Sequence, residues 1–241
     1  MRVGIYGLGR FGFFWASCLS RYFEVVGFSR NNQRETPPGV KKASESEVLS
    51  CDAVFLCVTI SAMEEVIAGI APGLRSGTTV FDTCSVKMYP VDLMDRLLPE
   101  QVNIVGTHPM FGPDSGKNGI EGLPLAFCPV RVNQNGIEAY WRQAFAQMGL
   151  RVLDLTPEEH DREAAYTQGI THFMGRVLFD LGLKPSAIAT KGYEKLLEII
   201  EQTCNDPFQL FLDLQRFNPY TEQMREHLHS SLQKIQNQLK R

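Results

Sequence analysis

The segment that most restricts what this chain can fold into lies at its start. Arg2-Val3-Gly4-Ile5-Tyr6 is a short strand pattern. It runs directly into Gly7-Leu8-Gly9-Arg10-Phe11-Gly12, and Phe13 to Arg21 continues as a helix pattern. A strand, a GxGxxG turn and a helix in immediate succession open a β-α-β unit. The first two glycines permit a tight turn and close approach of backbone N–H groups to a pyrophosphate. The third lets the helix pack on the strand, and the helix N-terminus favours an anion. Gly7, Leu8, Gly9, Arg10, Phe11 and Gly12 are therefore the candidate dinucleotide-binding turn. The pattern alone is also compatible with a plain glycine turn; the strand before it and the helix behind it favour the nucleotide.

The next strand pattern, Glu24 to Phe28, ends in Ser29-Arg30, with Arg34 nearby and no Asp or Glu before Glu35. An acidic residue at this strand end binds the ribose 2′-hydroxyl of NAD. A hydroxyl and a guanidinium instead suit a 2′-phosphate, which a carboxylate would repel. Ser29, Arg30 and Arg34, with Arg10 adding to the field, point to NADP; the other reading is that they are solvated surface arginines. Ala53 to Val58 is a continuous apolar run, as expected of a parallel strand covered on both faces. It leaves Thr59 at its C-terminal end, near where a nicotinamide ribose lies. Thr79 to Asp82 is a further strand exiting into Thr83-Cys84-Ser85-Val86-Lys87, and Val102 to Val105 exits into a loop carrying His108. Ser85 and His108 thus leave neighbouring strands in the same direction, which places both at one mouth. After an insertion from Gly112 to Gly122, Ala126 to Val130 and Arg151 to Asp154 look like closing strands around an amphipathic helix from Gly136 to Met148.

The stretch Gly106-Thr107-His108-Pro109-Met110-Phe111-Gly112-Pro113 puts a histidine on a stiff, glycine- and proline-bounded loop at a strand end, where open α/β sheets bind ligands. Histidine exchanges a proton near neutral pH without special tuning. His108 either satisfies a turn or accepts a proton; Ser85 is either a turn serine or its partner at the reacting oxygen.

With 241 residues the chain has room for one large domain or two modest ones. The net charge of −3 provides no basic field for nucleic acid or an anionic lipid surface. No apolar run approaches the ~20 residues of a membrane span. Strand-like sequence begins at Arg2, so we expect no signal or transit peptide. The six cysteines form no CxxC and no Cys/His cluster, so we expect reduced packing residues in a cytoplasmic protein and no metal site.

From Pro157 the pattern becomes helical. Thr156-Pro157-Glu158-Glu159 is a helix start with a capping threonine and acidic residues at the positive dipole end. One helix is expected from Pro157 to Leu181, ending at Gly182, with Asp161, Gln168 and His172 on roughly one face. Lys195 to Cys204, Asp206 to Asn218 and Thr221 to Leu239 are the next helix patterns. Such a bundle has little core of its own, so we expect it to pack on a second copy. The expected organisation is α/β: a Rossmann-like, doubly wound, mostly parallel sheet over 1–155, followed by an all-helical dimerisation domain over 156–241, in a homodimer joined by the C-terminal helices.

Taken together these residues resemble the prephenate/arogenate dehydrogenase family over nearly the whole chain. The marks are Gly7 to Gly12, Ser85-Val86-Lys87, His108-Pro109-Met110-Phe111-Gly112-Pro113, Glu159-His160-Asp161, Thr171-His172 and Thr190-Lys191-Gly192-Tyr193-Glu194. The loop Ser115 to Gly119 and the segment Lys191 to Glu194 are similar to the plant-type, NADP-using arogenate dehydrogenases. The resemblance implies oxidative decarboxylation of a cyclohexadienol: hydride goes to the nicotinamide, the ring carboxylate leaves as carbon dioxide, and the ring becomes aromatic. L-Arogenate would give L-tyrosine; prephenate would give 4-hydroxyphenylpyruvate. By the same resemblance His108 is the general base for the ring hydroxyl and Ser85 a second contact to it. Asp161, Gln168, His172 and Lys191 are substrate-side residues, and Lys87 is structural or near the cofactor. Prephenate-specific bacterial relatives carry an arginine for the substrate's side-chain carboxylate, but Tyr193 to Pro207 contains none. That departure favours the zwitterionic side chain of arogenate, with Asp161 pairing its ammonium. Other reductases with a helical second domain lack the His108 loop. A non-catalytic NADP-binding module is the remaining alternative.

Overall fold

The structure, a computed structural model, describes residues 1–240. Its compact units are Met1–His160 and the residues from Asp161 onward. The first unit is built on β1 (Arg2–Tyr6), β2 (Glu24–Phe28), β3 (Val40–Lys42), β4 (Ala53–Leu56), β5 (Thr79–Asp82), β6 (Asn103–Pro109), β7 (Pro124–Arg131) and β8 (Arg151–Asp154). These form one sheet in the order β3-β2-β1-β4-β5-β6-β7-β8. Every pairing is parallel except β6 with β7. The chain runs outward from β1 through β2 and β3, then returns to β4 on the other side of β1. That reversal creates a crevice at the carboxyl ends of β1 and β4, where open α/β sheets take their ligands.

The connecting helices are α1 (Arg10–Leu19), α2 (Glu45–Leu49), α3 (Met63–Ile70), α4 (Met88–Leu97) and α5 (Ile137–Gln147). One sheet face is closed by aromatic packing. Phe55 and Phe81, on adjacent strands, stack at 4.4 Å, and Trp15 of α1 with Trp141 and Phe145 of α5 pack edge-on or tilted around them. The apolar runs of β4 and β5 are fully buried, as strands covered on both faces must be.

Two expectations need correction here, and some elements were not expected. The strand expected to stop at Val105 continues through His108 to Pro109, because antiparallel β7 supplies partners as far as Pro109↔Leu125. His108 is thus a strand residue, not a loop residue. The strand β3 and the helices α2 and α4 were not anticipated. The helix expected to run unbroken from Pro157 to Leu181 is α6 (Pro157–Ala164), a π turn over Ala165–Gly169, and α7 (Ile170–Asp180), with Gly182 just past its C-cap at φ 77°.

The second unit contains α7, α8 (Lys191–Cys204), α9 (Phe208–Phe217) and α10 (Thr221–Gln238). Gly175 lets α7 and α8 touch: a Cβ there would lie 2.0 Å from Thr203 Oγ1. Arg176 donates to the Thr203 and Asp206 carbonyls at the end of α8 and lies over the rings of Phe208 and Phe211. The π turn has its own support, Gln215 Nε2 donating to the Gly169 carbonyl at 2.8 Å. No helix among the described residues is long and apolar enough to cross a membrane.

Candidate active site

The glycine turn is shaped by backbone contacts. Gly7 has φ 105°, and a Cβ on it would fall 2.5 Å from the Cys57 carbonyl. A Cβ on Gly12 would fall 1.9 Å from the Gly7 carbonyl, so α1 can begin this close to β1 only with glycine at both places. Gly9 is different. It is the N-cap of α1, no side chain caps that helix end among the described residues, and a Cβ on Gly9 would meet nothing within 4 Å. Helix N–H groups open to a shallow cradle fit a dinucleotide pyrophosphate.

Leu8, Gly9, Arg10 and Arg34 line one pocket of about 610 Å³, together with Phe13 and Pro113. Phe11 points the other way, into the core against Trp15 at 6.2 Å. Arg10 pairs with Asp114 at 2.6 Å. Arg30 pairs with Glu65 at 2.8 Å, both well exposed, and Ser29 Oγ accepts from the Asn31 N–H at 3.3 Å. Thr59 is exposed at the N-cap of a short 3-10 turn after β4.

Ser85 and His108 are both buried, at 7% and 4% exposure, beyond the ends of β5 and within β6. Ser85 Oγ has no hydrogen-bond partner among the described residues. A buried hydroxyl without a partner costs roughly 1–3 kcal/mol and calls for an explanation. His108 Nδ1 lies 2.8 Å from His160 Nε2, with the two rings edge-on at 5.1 Å. One of these nitrogens must carry the shared proton, so the contact ties the tautomer of one ring to that of the other.

Beneath them lies a fully buried ion pair between Asp82, the last residue of β5, and Lys87. Burial pushes the Asp82 carboxyl up, against the pull of the Lys87 ammonium and of the Cys84 and Thr107 N–H groups. Burial also pushes the Cys57 thiol up to about 12, and Cys84 rises too, which disfavours the reactive thiolate in both. Sequence reasoning assigned no role to His160 or Asp82. The only signals were the His160 position inside the quoted Glu159-His160-Asp161 triplet and an acid closing an otherwise buried strand run.

In the second unit Asp161 is fully buried, and its carbonyl accepts from Asn218 Nδ2 at 2.8 Å. Gln168 Oε1, on the π turn, and His172 Nδ1, on α7, are buried without hydrogen-bond partners among the described residues. Burial pulls the His172 pKa down, so its neutral form is favoured. Lys191 stands apart. It is almost wholly exposed in the first turn of α8 and pairs with Glu194 at 2.9 Å.

Comparison with known proteins gives this geometry its context. Residues 24–154 match the family model described as prephenate dehydrogenase, nucleotide-binding domain, and residues 177–241 match TYRAAT1-like, C-terminal domain. Arogenate dehydrogenase 2, chloroplastic, of Arabidopsis thaliana is 34% identical over 99% of this chain and 70% of its own length. Arogenate dehydrogenase 1, chloroplastic, of the same plant is also 34% identical over 99% of this chain, which spans 39% of that relative. The crystal structure of prephenate dehydrogenase from A. aeolicus, in complex with hydroxyphenyl propionate and NAD+, superposes with a TM-score of 0.77 at 19% identity, over 99% of this chain and 90% of that one. A glycine turn shaped for a dinucleotide, a buried serine and a buried histidine at neighbouring strand ends, and relatives matched over 99% of this chain agree: the chain belongs to the arogenate/prephenate dehydrogenase family of oxidoreductases.

Proposed function

We propose that this chain catalyses the NADP-dependent oxidative decarboxylation of L-arogenate to L-tyrosine. The observation that carries the reading is the buried Ser85 hydroxyl, which has no hydrogen-bond partner among the described residues, one strand away from the buried His108. A substrate hydroxyl bound between them would satisfy Ser85 and present its proton to the imidazole. The dinucleotide, when bound on the Gly7–Gly12 turn, supplies the hydride acceptor. In the proposed tautomer His108 Nδ1 donates to His160 Nε2, and His108 Nε2 is the atom that accepts the ring hydroxyl's proton. Ser85 orients that oxygen. As the ring carbon loses hydride and the carboxylate leaves, His108 takes the proton, and no metal or Schiff base is required of the protein.

NADP is favoured by Ser29, Arg30 and Arg34 with no carboxylate at the end of β2. The Arg30–Glu65 pair is exposed, and such pairs are worth at most about 1 kcal/mol, so a 2′-phosphate can displace Glu65. Arogenate is favoured over prephenate by the arginine-free stretch Tyr193 to Pro207 and by Gln168 Oε1, a buried acceptor suited to an ammonium. Asp161 and His172 are proposed to serve the same side chain, and Lys191 to steer its carboxylate. A second copy is proposed to cover the exposed apolar side chains Phe179, Leu181, Ile188, Leu232 and Ile235 of the helical unit.

Absorbance at 340 nm with purified protein, each of arogenate and prephenate, and each of NADP and NAD tests the reading. Arogenate with NADP should be turned over fastest. Faster turnover of prephenate would move the assignment to that substrate, and no turnover of either would leave a nucleotide-binding module.

A further inference from the structure

The buried Asp82–Lys87 pair serves no step described so far, yet it sits where the sheet's own hydrogen bonding runs out. Strand β5 ends at Asp82, opposite Gly106 of β6. Strand β6 continues through Thr107 and His108 to Pro109, paired there with β7. Past Gly106 the backbone of β6 facing β5 has no strand to bond. Side chains take the strand's place. Asp82 Oδ1 accepts from the Thr107 N–H at 3.2 Å, and Lys87 Nζ donates to the Thr107 carbonyl at 2.6 Å. Thr107 Oγ1 donates to the Asp82 carbonyl at 2.5 Å. Asp82 Oδ2 also accepts from the Cys84 N–H at 2.9 Å, one residue before Ser85.

We propose that Asp82 and Lys87 are positioning residues for the reaction. The pair acts as one further residue of strand, gripping the chain immediately before His108 and immediately before Ser85, and so sets the distance between the two. A stability role alone explains it poorly. Taking two charges fully out of water costs several kcal/mol per ion, and well-packed neutral replacements are often no less stable. What an ion pair with three directed hydrogen bonds to the backbone adds is a fixed backbone geometry. The inference rests on the proposed role of His108.

The test is the isosteric neutral pair Asp82→Asn with Lys87→Met, made in the wild-type and in the His108→Asn backgrounds. Thermal melting, the NADP Kd by fluorescence and kcat are measured for all four proteins. We expect the neutral pair to fold and to bind NADP as the wild type does, while kcat falls about tenfold, a coupling typical of groups in one hydrogen-bond network. In the His108→Asn background the same change should cost less than about twofold, because the group being positioned is already gone. Wild-type kcat in the neutral pair, or losses that multiply in the combined variant, would overturn the inference. Wild-type kcat in His108→Asn alone would instead remove the role of His108 on which it rests. If the neutral pair does not fold, Lys87→Met alone, which removes the bond to the Thr107 carbonyl and leaves Asp82 in place, is measured in the same two backgrounds. A lowered kcat that disappears in the His108→Asn background supports positioning, and an unchanged kcat overturns it.

Discussion

Replacing Gly12 by alanine separates two readings of the glycine turn by the sign of the effect. An ordinary glycine inside a helix is a weak point, and alanine there stabilises by about 1 kcal/mol. Gly12 is not ordinary. The new Cβ would lie 1.9 Å from the Gly7 carbonyl oxygen and 3.0 Å from Cys57 Cβ, where ordinary contacts begin at 3.4 Å. Neither neighbour can yield cheaply. Gly7 is held at φ 105° with its own N–H bonded to the Phe28 carbonyl at 2.9 Å, and Cys57 follows a fully buried strand. The helix must therefore withdraw from β1. Such overpacking costs roughly 1–3 kcal/mol and often more against backbone, which exceeds the helical gain. We expect a net loss of roughly 2 kcal/mol, or a Tm lower by about 4–8 °C in a unit of this size. Withdrawal also displaces the α1 N-terminus, so the NADP Kd should rise at least about tenfold, equivalent to 1.4 kcal/mol. Differential scanning fluorimetry and a fluorescence titration read both. A raised Tm with an unchanged Kd would refute close packing at this turn.

Three further outcomes are expected. Arg30→Ala should raise the KM for NADP far more than that for NAD in steady-state assays, and equal effects would show that Arg30 does not read the 2′-phosphate. Ser85→Ala removes a buried hydroxyl that has no partner among the described residues, so melting should be unchanged or slightly higher while kcat/KM falls about tenfold or more; a Tm loss would mark a structural cap instead. His172 has a lowered pKa in the folded protein, so on acidification the unfolded chain takes up its proton first. Stability from this group is whole above about pH 6.5 and falls as pH drops below that value toward the folded pKa. Urea melts of wild type and His172→Gln between pH 8 and about pH 5 should converge as pH falls, and a constant gap would contradict the burial argument.

The parts legible in the sequence are those with local causes. The strand–glycine–helix start, the buried run of β4 and the Ser85 exit from β5 are each written within about a dozen neighbouring residues. What was missed depends on distant partners. β6 reaches His108 only because β7 pairs with it, and nothing between Val105 and His108 signals that. The three residues of β3 are too few to show a period, and only the first is buried. The π turn at Ala165–Gly169 is stabilised by Gln215, 46 positions away from Gly169. The His108–His160 contact spans 52 positions, and a triplet seen in a sequence carries no sign of which ring it will meet. The absence of an arginine in Tyr193 to Pro207 needed no structure to read. The burial of Gln168 Oε1 without a hydrogen-bond partner among the described residues is visible only in the structure.

The central claim is that His108 accepts the substrate's hydroxyl proton. The most direct measurement is kcat for His108→Asn with arogenate and NADP, alongside the NADP Kd of the same protein. We expect kcat to fall by roughly two to four orders of magnitude, the range for a lost general base, with the Kd unchanged. A near-wild-type kcat in a folded, NADP-binding protein would contradict it.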